Sequence, residues 1–164
     1  MSSSLATPIP PPVAGFITSA RVGRLATADV GGQPMVVPIC YAFDGRALYS
    51  AVDAKPKQAP PDGLKRIRNL RENPRVSIVI DEYDEDWTHL WWVRVDGVAR
   101  VVPEDAAAVE LLVAKYPQYE ADPPRGPVIV VRADGWSGPC SPSSGRLPGT
   151  TTARRSTSRP SSRS

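Results

Sequence analysis

Six short runs rich in apolar and β-branched residues punctuate the chain, and most are joined by turn residues rather than helices. They read "GRLATAD" (Gly23–Asp29), "PMVVPICYAFD" (Pro34–Asp44), "ALYSAV" (Ala47–Val52), "RVSIVIDEY" (Arg75–Tyr83), "LWWVRVDGVARVV" (Leu90–Val102) and "PVIVVRAD" (Pro127–Asp134). A doubly wound parallel sheet needs a helix between successive strands, and that regular alternation is missing. The pattern predicts a mainly β domain, an antiparallel barrel with helical additions. "VGG" after the first run supplies turn residues that tolerate positive φ, and Asp44-Gly45 marks a hairpin turn. Pro38 cannot donate to a ladder, so the second run has an edge, a bulge or a ligand there. Gly97 is a place for the long fifth run to bend.

The helical additions are few. "VAGFITSA" (Val13–Ala20) suits a short helix. Leu64, Ile67 and Leu70 repeat on one face of a second helix, whose other positions are Lys65, Arg66, Arg68 and Arg71, and Pro74 ends it. "PEDAAAVELLVAKYP" opens on Pro103 and two acids, which favours helix initiation.

Residues 1–12 read as a flexible, proline-rich lead, 13–137 as a single barrel domain, and 138–164 as a disordered tail of Ser, Thr, Pro, Gly and Arg. The change of composition after "GWSG" is abrupt and fits either a natural extension or a slipped reading frame. The net charge of +3 belongs to this tail, which holds five arginines and no acid. Subtracting those five leaves fifteen basic residues against seventeen acidic ones, so a nucleic-acid surface is not expected. Cys40 and Cys140 offer no metal-ligand spacing and suit a reducing compartment. No apolar run approaches the roughly 18 residues of a membrane span, and the N-terminus lacks the pattern of a secretory signal. A cytoplasmic location, away from membranes, is the expectation.

Covalent catalysis finds little support. His89 is the one histidine, and beside tryptophans it reads as a packed residue rather than a base. Cys40 reads as a small buried hydrophobe. The acids of "DEYDEDW" (Asp81–Trp87) lack the calcium-loop pattern and read as a solvated loop. Neither glycine-rich nucleotide loop occurs. No catalytic side chain and no metal ligand is expected. What stands out is "LYSAVDAKPK" (Leu48–Lys57), a strand that runs into two lysines flanking a proline, followed by the cationic helix. Cations on a loop at a strand end are placed to meet a phosphate or carboxylate, although solvated loop lysines are the simpler reading.

The span from about Arg21 to Val102 resembles the pyridoxamine-phosphate-oxidase-like split β-barrel superfamily of flavin and deazaflavin oxidoreductases. "RVGRLATADVGGQPMVVPICYAFDG", "LYSAVDAKPK" and "IRNLRENPRVSIVID" carry the resemblance. "YDEDWTHLWWVRVDGVARV", "KYPQY" and "GPVIVVRADGWSG" are similar to the subgroup that uses coenzyme F420, a deazaflavin. The resemblance implies a six-stranded antiparallel split barrel of the FMN-binding type, a homodimer, and a cofactor at the subunit interface. It assigns cofactor contacts to Val36, Val37, Pro38 and Ile39, to Ser50, Ala51 and Val52, and to Lys55 and Lys57. Lys65 and Arg66 would serve an oligoglutamate tail. Trp91 and Trp92 point opposite ways if they share a strand; Trp92 is assigned to the ring pocket, and core packing of both is the simpler reading. The proline-rich "QAPPDG" (Gln58–Gly63) and the ending after "WSG" depart from the pattern.

Under this resemblance the chain is an F420-dependent oxidoreductase acting on a small electron-poor acceptor. The cofactor carries the hydride chemistry and the barrel supplies binding and orientation. An FMN-dependent oxidase or reductase of the same fold, or a non-catalytic cofactor-binding protein, are the alternatives.

Overall fold

A computed structural model describes residues 8–52 and 63–138. The elements follow in the order α1 (Pro11–Ser19), β1 (Gly23–Ala28), β2 (Pro34–Ile39), β3 (Ala42–Phe43), β4 (Ala47–Ala51), α2 (Lys65–Glu72), β5 (Arg75–Glu82), β6 (Trp91–Val102), α3 (Ala106–Lys115), α4 (Gln118–Ala121) and β7 (Val128–Ser137). All pairings are antiparallel, in the spatial order β2-β1-β5-β6-β7-β4-β3.

The two ends of that order explain the shape. β2 and β3 lie at opposite edges, yet only Cys40 and Tyr41 separate them in the chain. Three Cα steps reach at most about 11 Å, so the sheet curls until its edges almost meet. The result is a split barrel. The single second strand expected over 34–44 is therefore divided between two edges, and this division raises the strand count from six to seven. Pro38 lies on the edge strand β2, where a missing donor breaks no second ladder.

The inward positions fill the barrel. Leu25, Ile78, Ile80, Val93 and Val95 are fully buried, and their alternating neighbours face outward. Helix α1 plugs this core with Val13, Phe16 and Ile17, and the Phe16 ring stacks on Trp91 at 4.6 Å. The helix begins at Pro11, inside the segment assigned to a flexible lead, because prolines at its first two positions lack only donors that no helical partner would use. Trp136 Nε1 donates to the Pro8 carbonyl at 3.1 Å, tying the segment before the helix to β7.

Helix α2 turns Ile67 and Leu70 inward, together with the buried Asn69. The Asn69 side-chain amide donates to the Thr27 hydroxyl at 3.0 Å, joining the helix to β1. Asn69→Ala would strip a buried hydroxyl of its donor and is expected to lower unfolding stability by about 1–3 kcal/mol, measurable by urea denaturation. Asp105 caps α3, its carboxylate accepting from Ala108 N at 3.0 Å. The helix packs across β3 and β4.

Candidate functional site

Strand parity decides which residues can meet a ligand on the barrel surface. The register pairs Arg24 with Pro38 and Val79, Val79 with Arg94, and Ala26 with Val36 and Ser77. Residues directly opposite share a face, so Val36, Pro38, Ala26, Val79 and Trp92 lie on the same outer surface. Val36 is 62% exposed and Trp92 38% exposed, whereas Trp91 is 5% exposed and packs inside. The two tryptophans thus point opposite ways, and only one is in the core.

Charges stud this apolar surface in matched pairs. Arg24 pairs with Asp81, and Arg94 Nε donates to Asp96 at 3.0 Å. The Ser77 hydroxyl donates to the other Asp96 oxygen at 2.5 Å. With these described charges paired, Val36, Pro38 and Trp92 leave apolar contact as what this face offers a partner.

The remaining assigned residues occupy other places. Ile39 is buried and Val37 packs against the same barrel core. Ser50 and Val52 are buried, while Ala51 packs toward α3 and α4 with Tyr116 and Tyr119. The β3–β4 ladder stops at Tyr49, so among the described residues the main chain at Ala51 has no strand opposite it on the β3 side. Val52 N instead donates to Pro127 O at 3.0 Å, on the β7 side.

Lys65 Nζ is held by Asp29 at 3.2 Å, which anchors α2 to the β1–β2 turn. The same carboxylate accepts from Gln33 N at 2.9 Å and Gly31 N at 3.0 Å. The Gln33 hydrogen bond, then the lysine, hold Asp29 below the usual carboxylate range. Arg66 follows Lys65 on α2 and is half-buried. Lys55 and Lys57 lie outside the described residues.

A carboxylate with a lowered folded pKa stabilises above its unfolded value and loses that contribution as pH falls through the folded one. The α2–turn anchor is therefore expected to hold at neutral pH and to loosen only below about pH 4. The Gln33 amide resonance, followed from neutral to acid pH, should report the change, and Asp29→Asn should abolish it.

The expectation of a packed His89 does not hold: its side chain is 54% exposed, with Nδ1 at 3.7 Å from both Asp84 and Asp86 in the loop before β6. The backbone turn of this loop holds it there, His89 N donating to Asp86 O at 2.9 Å. Sequence spacing did not reveal a second charged cluster. Lys115, Arg21 and the rings of Tyr41 and Tyr116 gather where β2 passes into β3.

A family model for pyridoxamine 5'-phosphate oxidase matches residues 9–140, most of the chain. The chain belongs to this family. Solved structures with the same fold include an FAD-binding protein from Mesorhizobium loti, 30% identical, covering 76% of this chain and 87% of its own with a TM-score of 0.55. A conserved hypothetical protein from Mycobacterium tuberculosis is 25% identical over 84% of each chain, with a TM-score of 0.62. An F420 reductase, 23% identical, covers 75% of this chain and 94% of its own at a TM-score of 0.56. The family's flavin-related fold is thus that of the barrel described above, and no described helix is long and apolar enough to cross a membrane.

Proposed function

We propose that the chain is an oxidoreductase that holds coenzyme F420 against the outer face of its barrel and works as a homodimer. The observation that carries this reading is the family match over residues 9–140, which takes in both β2 and the segment after β4. The surface supports it. An edge strand that exposes Val36 and Pro38, on the same face as Trp92, is an aggregation hazard unless something covers it. A planar ring and a second subunit together would do so.

Val36, Pro38 and Trp92 would form the apolar wall for the ring. Val37 and Ile39, facing inward, would hold β2 in place and contribute main chain. Ser50, Ala51 and Val52 would act through the unladdered side of β4, where main-chain groups can meet an oxyanion. Lys55 and Lys57 would grip the anionic arm, with Lys65 and Arg66 serving a longer carboxylate tail. FMN is the other cofactor of suitable chemistry, and the extended cation series favours the deazaflavin with its additional carboxylates. When bound in reduced form, such a cofactor supplies a hydride to an electron-poor acceptor such as an enone, quinone or imine. The barrel contributes orientation and exclusion of water.

Turnover of reduced F420 and of reduced FMN with a panel of activated alkenes and quinones tests the activity. Acceptor-dependent reoxidation by the purified chain is expected with F420. Saturable cofactor binding without turnover of any acceptor would leave a carrier in place of an enzyme. The dimer is tested separately: Val36→Glu places a charge on the uncovered edge and is expected to shift sedimentation from dimer to monomer at micromolar concentration.

A further inference from the structure

Lysines near a protein surface ordinarily lay their stems on apolar groups and keep the ammonium in water. Lys115 does the reverse. The residue is only half-buried, yet its Nζ is sealed from solvent and makes no hydrogen bond. The ammonium instead lies 4.0 Å from the ring centre of Tyr41 and 5.6 Å from that of Tyr116. On the same Tyr116 ring, the guanidinium carbon of Arg21 lies 5.0 Å from the centre. Two cations therefore converge on one aromatic ring, and among the described residues neither forms an ion pair with a carboxylate.

Ring faces and the C-terminal end of α3 offset part of this charge. They do not satisfy three N–H donors, and a buried ammonium left without partners is strongly penalised. Burial first, and Arg21 second, push the Lys115 pKa down to about 8. We propose that Lys115 and Arg21 form an oxyanion site at the barrel seam, which takes a phosphate or carboxylate from a small ligand. The groups facing it are Cys40 and Tyr41 from the β2–β3 link, Tyr116 at the end of α3, and Tyr119 of α4, whose ring meets Tyr116 edge-on at 5.6 Å. None of these side chains is a carboxylate, so the incoming oxyanion is the charge that balances the pair. This site does not depend on the cofactor reading.

Isotope-labelled full-length chain, titrated separately with inorganic phosphate and with acetate at neutral pH, tests the site through the amide resonances of Tyr41 and Tyr116. Saturable movement of both is expected with at least one anion, and the anion that acts identifies the ligand class. Lys115→Met and Arg21→Gln should each weaken the response about tenfold, the scale of one charge-assisted hydrogen bond. Arg21 is exposed, so its variant keeps the test open if the lysine variant does not fold. Arg75→Gln, which removes an exposed charge paired with Asp134, should leave the response unchanged. For acetate, affinity should fall as pH rises through about 8, where Lys115 gives up its proton. The proposal is overturned if neither anion moves these resonances. It is equally overturned if Lys115→Met and Arg21→Gln both titrate like the parent chain, or if the response is lost only in Lys57→Ala, which would assign it to the cofactor loop.

Discussion

Gly97→Ala is expected to destabilise the fold by about 3 kcal/mol or more, or to prevent folding altogether. The register between β6 and β7 slips between Asp96 and Gly97, a bulge that lets the long strand bend around the barrel. A Cβ at Gly97 would lie 2.2 Å from the Arg132 carbonyl oxygen and 3.0 Å from its carbon. Both atoms are backbone of the neighbouring strand, so no side-chain rotation relieves the overlap. The strands would have to separate where β6 and β7 run longest together. Gly135→Ala is the control: it sits on the same strand pair, and its added Cβ meets nothing within 4 Å. Its effect should stay within about 1 kcal/mol. Urea denaturation of both variants measures the contrast, and equal midpoints would remove the close approach as the reason for the glycine.

Tyr116→Phe is expected to cost about 2–3 kcal/mol, through the loss of one hydroxyl. That oxygen accepts from Tyr41 N at 2.9 Å. It also lies 2.9 Å from the carbonyl oxygens of Arg21 and of Tyr41, to one of which it donates at a time. The Tyr41 hydroxyl in turn donates to the Ile17 carbonyl, so the link between the two sheet edges is pinned to α1, to the approach to β1 and to α3 together. Phenylalanine keeps the packing and leaves a buried Tyr41 N–H without a partner. Hydrogen exchange should accelerate at Tyr41 more than in β5 or β6. Unchanged exchange and an unchanged urea midpoint would show that the seam is held by packing alone.

The sheet was legible because its strands alternate. "RVSIVIDEY" and "LWWVRVDGVARVV" became β5 and β6, Gly97 marked the bulge, and Asp44-Gly45 made the β3–β4 turn, with Gly45 at φ 92°. The second run was not legible as two strands. "PMVVPICYAFD" keeps one apolar character while its hydrogen-bonding partner changes from β1 to β4, and the change is fixed by Tyr116, 75 residues away. The last strand ran three residues further than expected, since Gly135, Trp136 and Ser137 continue the ladder with β6.

The candidate site was legible to a similar degree. Parity alone sends Trp91 and Trp92 to opposite faces, but it cannot say which face is enclosed, because that depends on α1 delivering Phe16. Lys115 gave no signal, since a lysine in the last turn of a helix is the ordinary complement of the helix dipole. Only the closure of the barrel turns its ammonium inward.

The central claim, that this barrel holds a redox cofactor by its anionic arm, is tested most directly by equilibrium titration with F420 and with FMN, followed by cofactor fluorescence, for the parent chain and for Lys57→Ala. Saturable binding is expected, tighter for F420, with the variant weaker by about 1–3 kcal/mol, the range for a charge-assisted hydrogen bond. Absence of saturable binding of either cofactor to the folded parent chain would contradict the claim, and an unchanged dissociation constant in the variant would remove Lys57 from it.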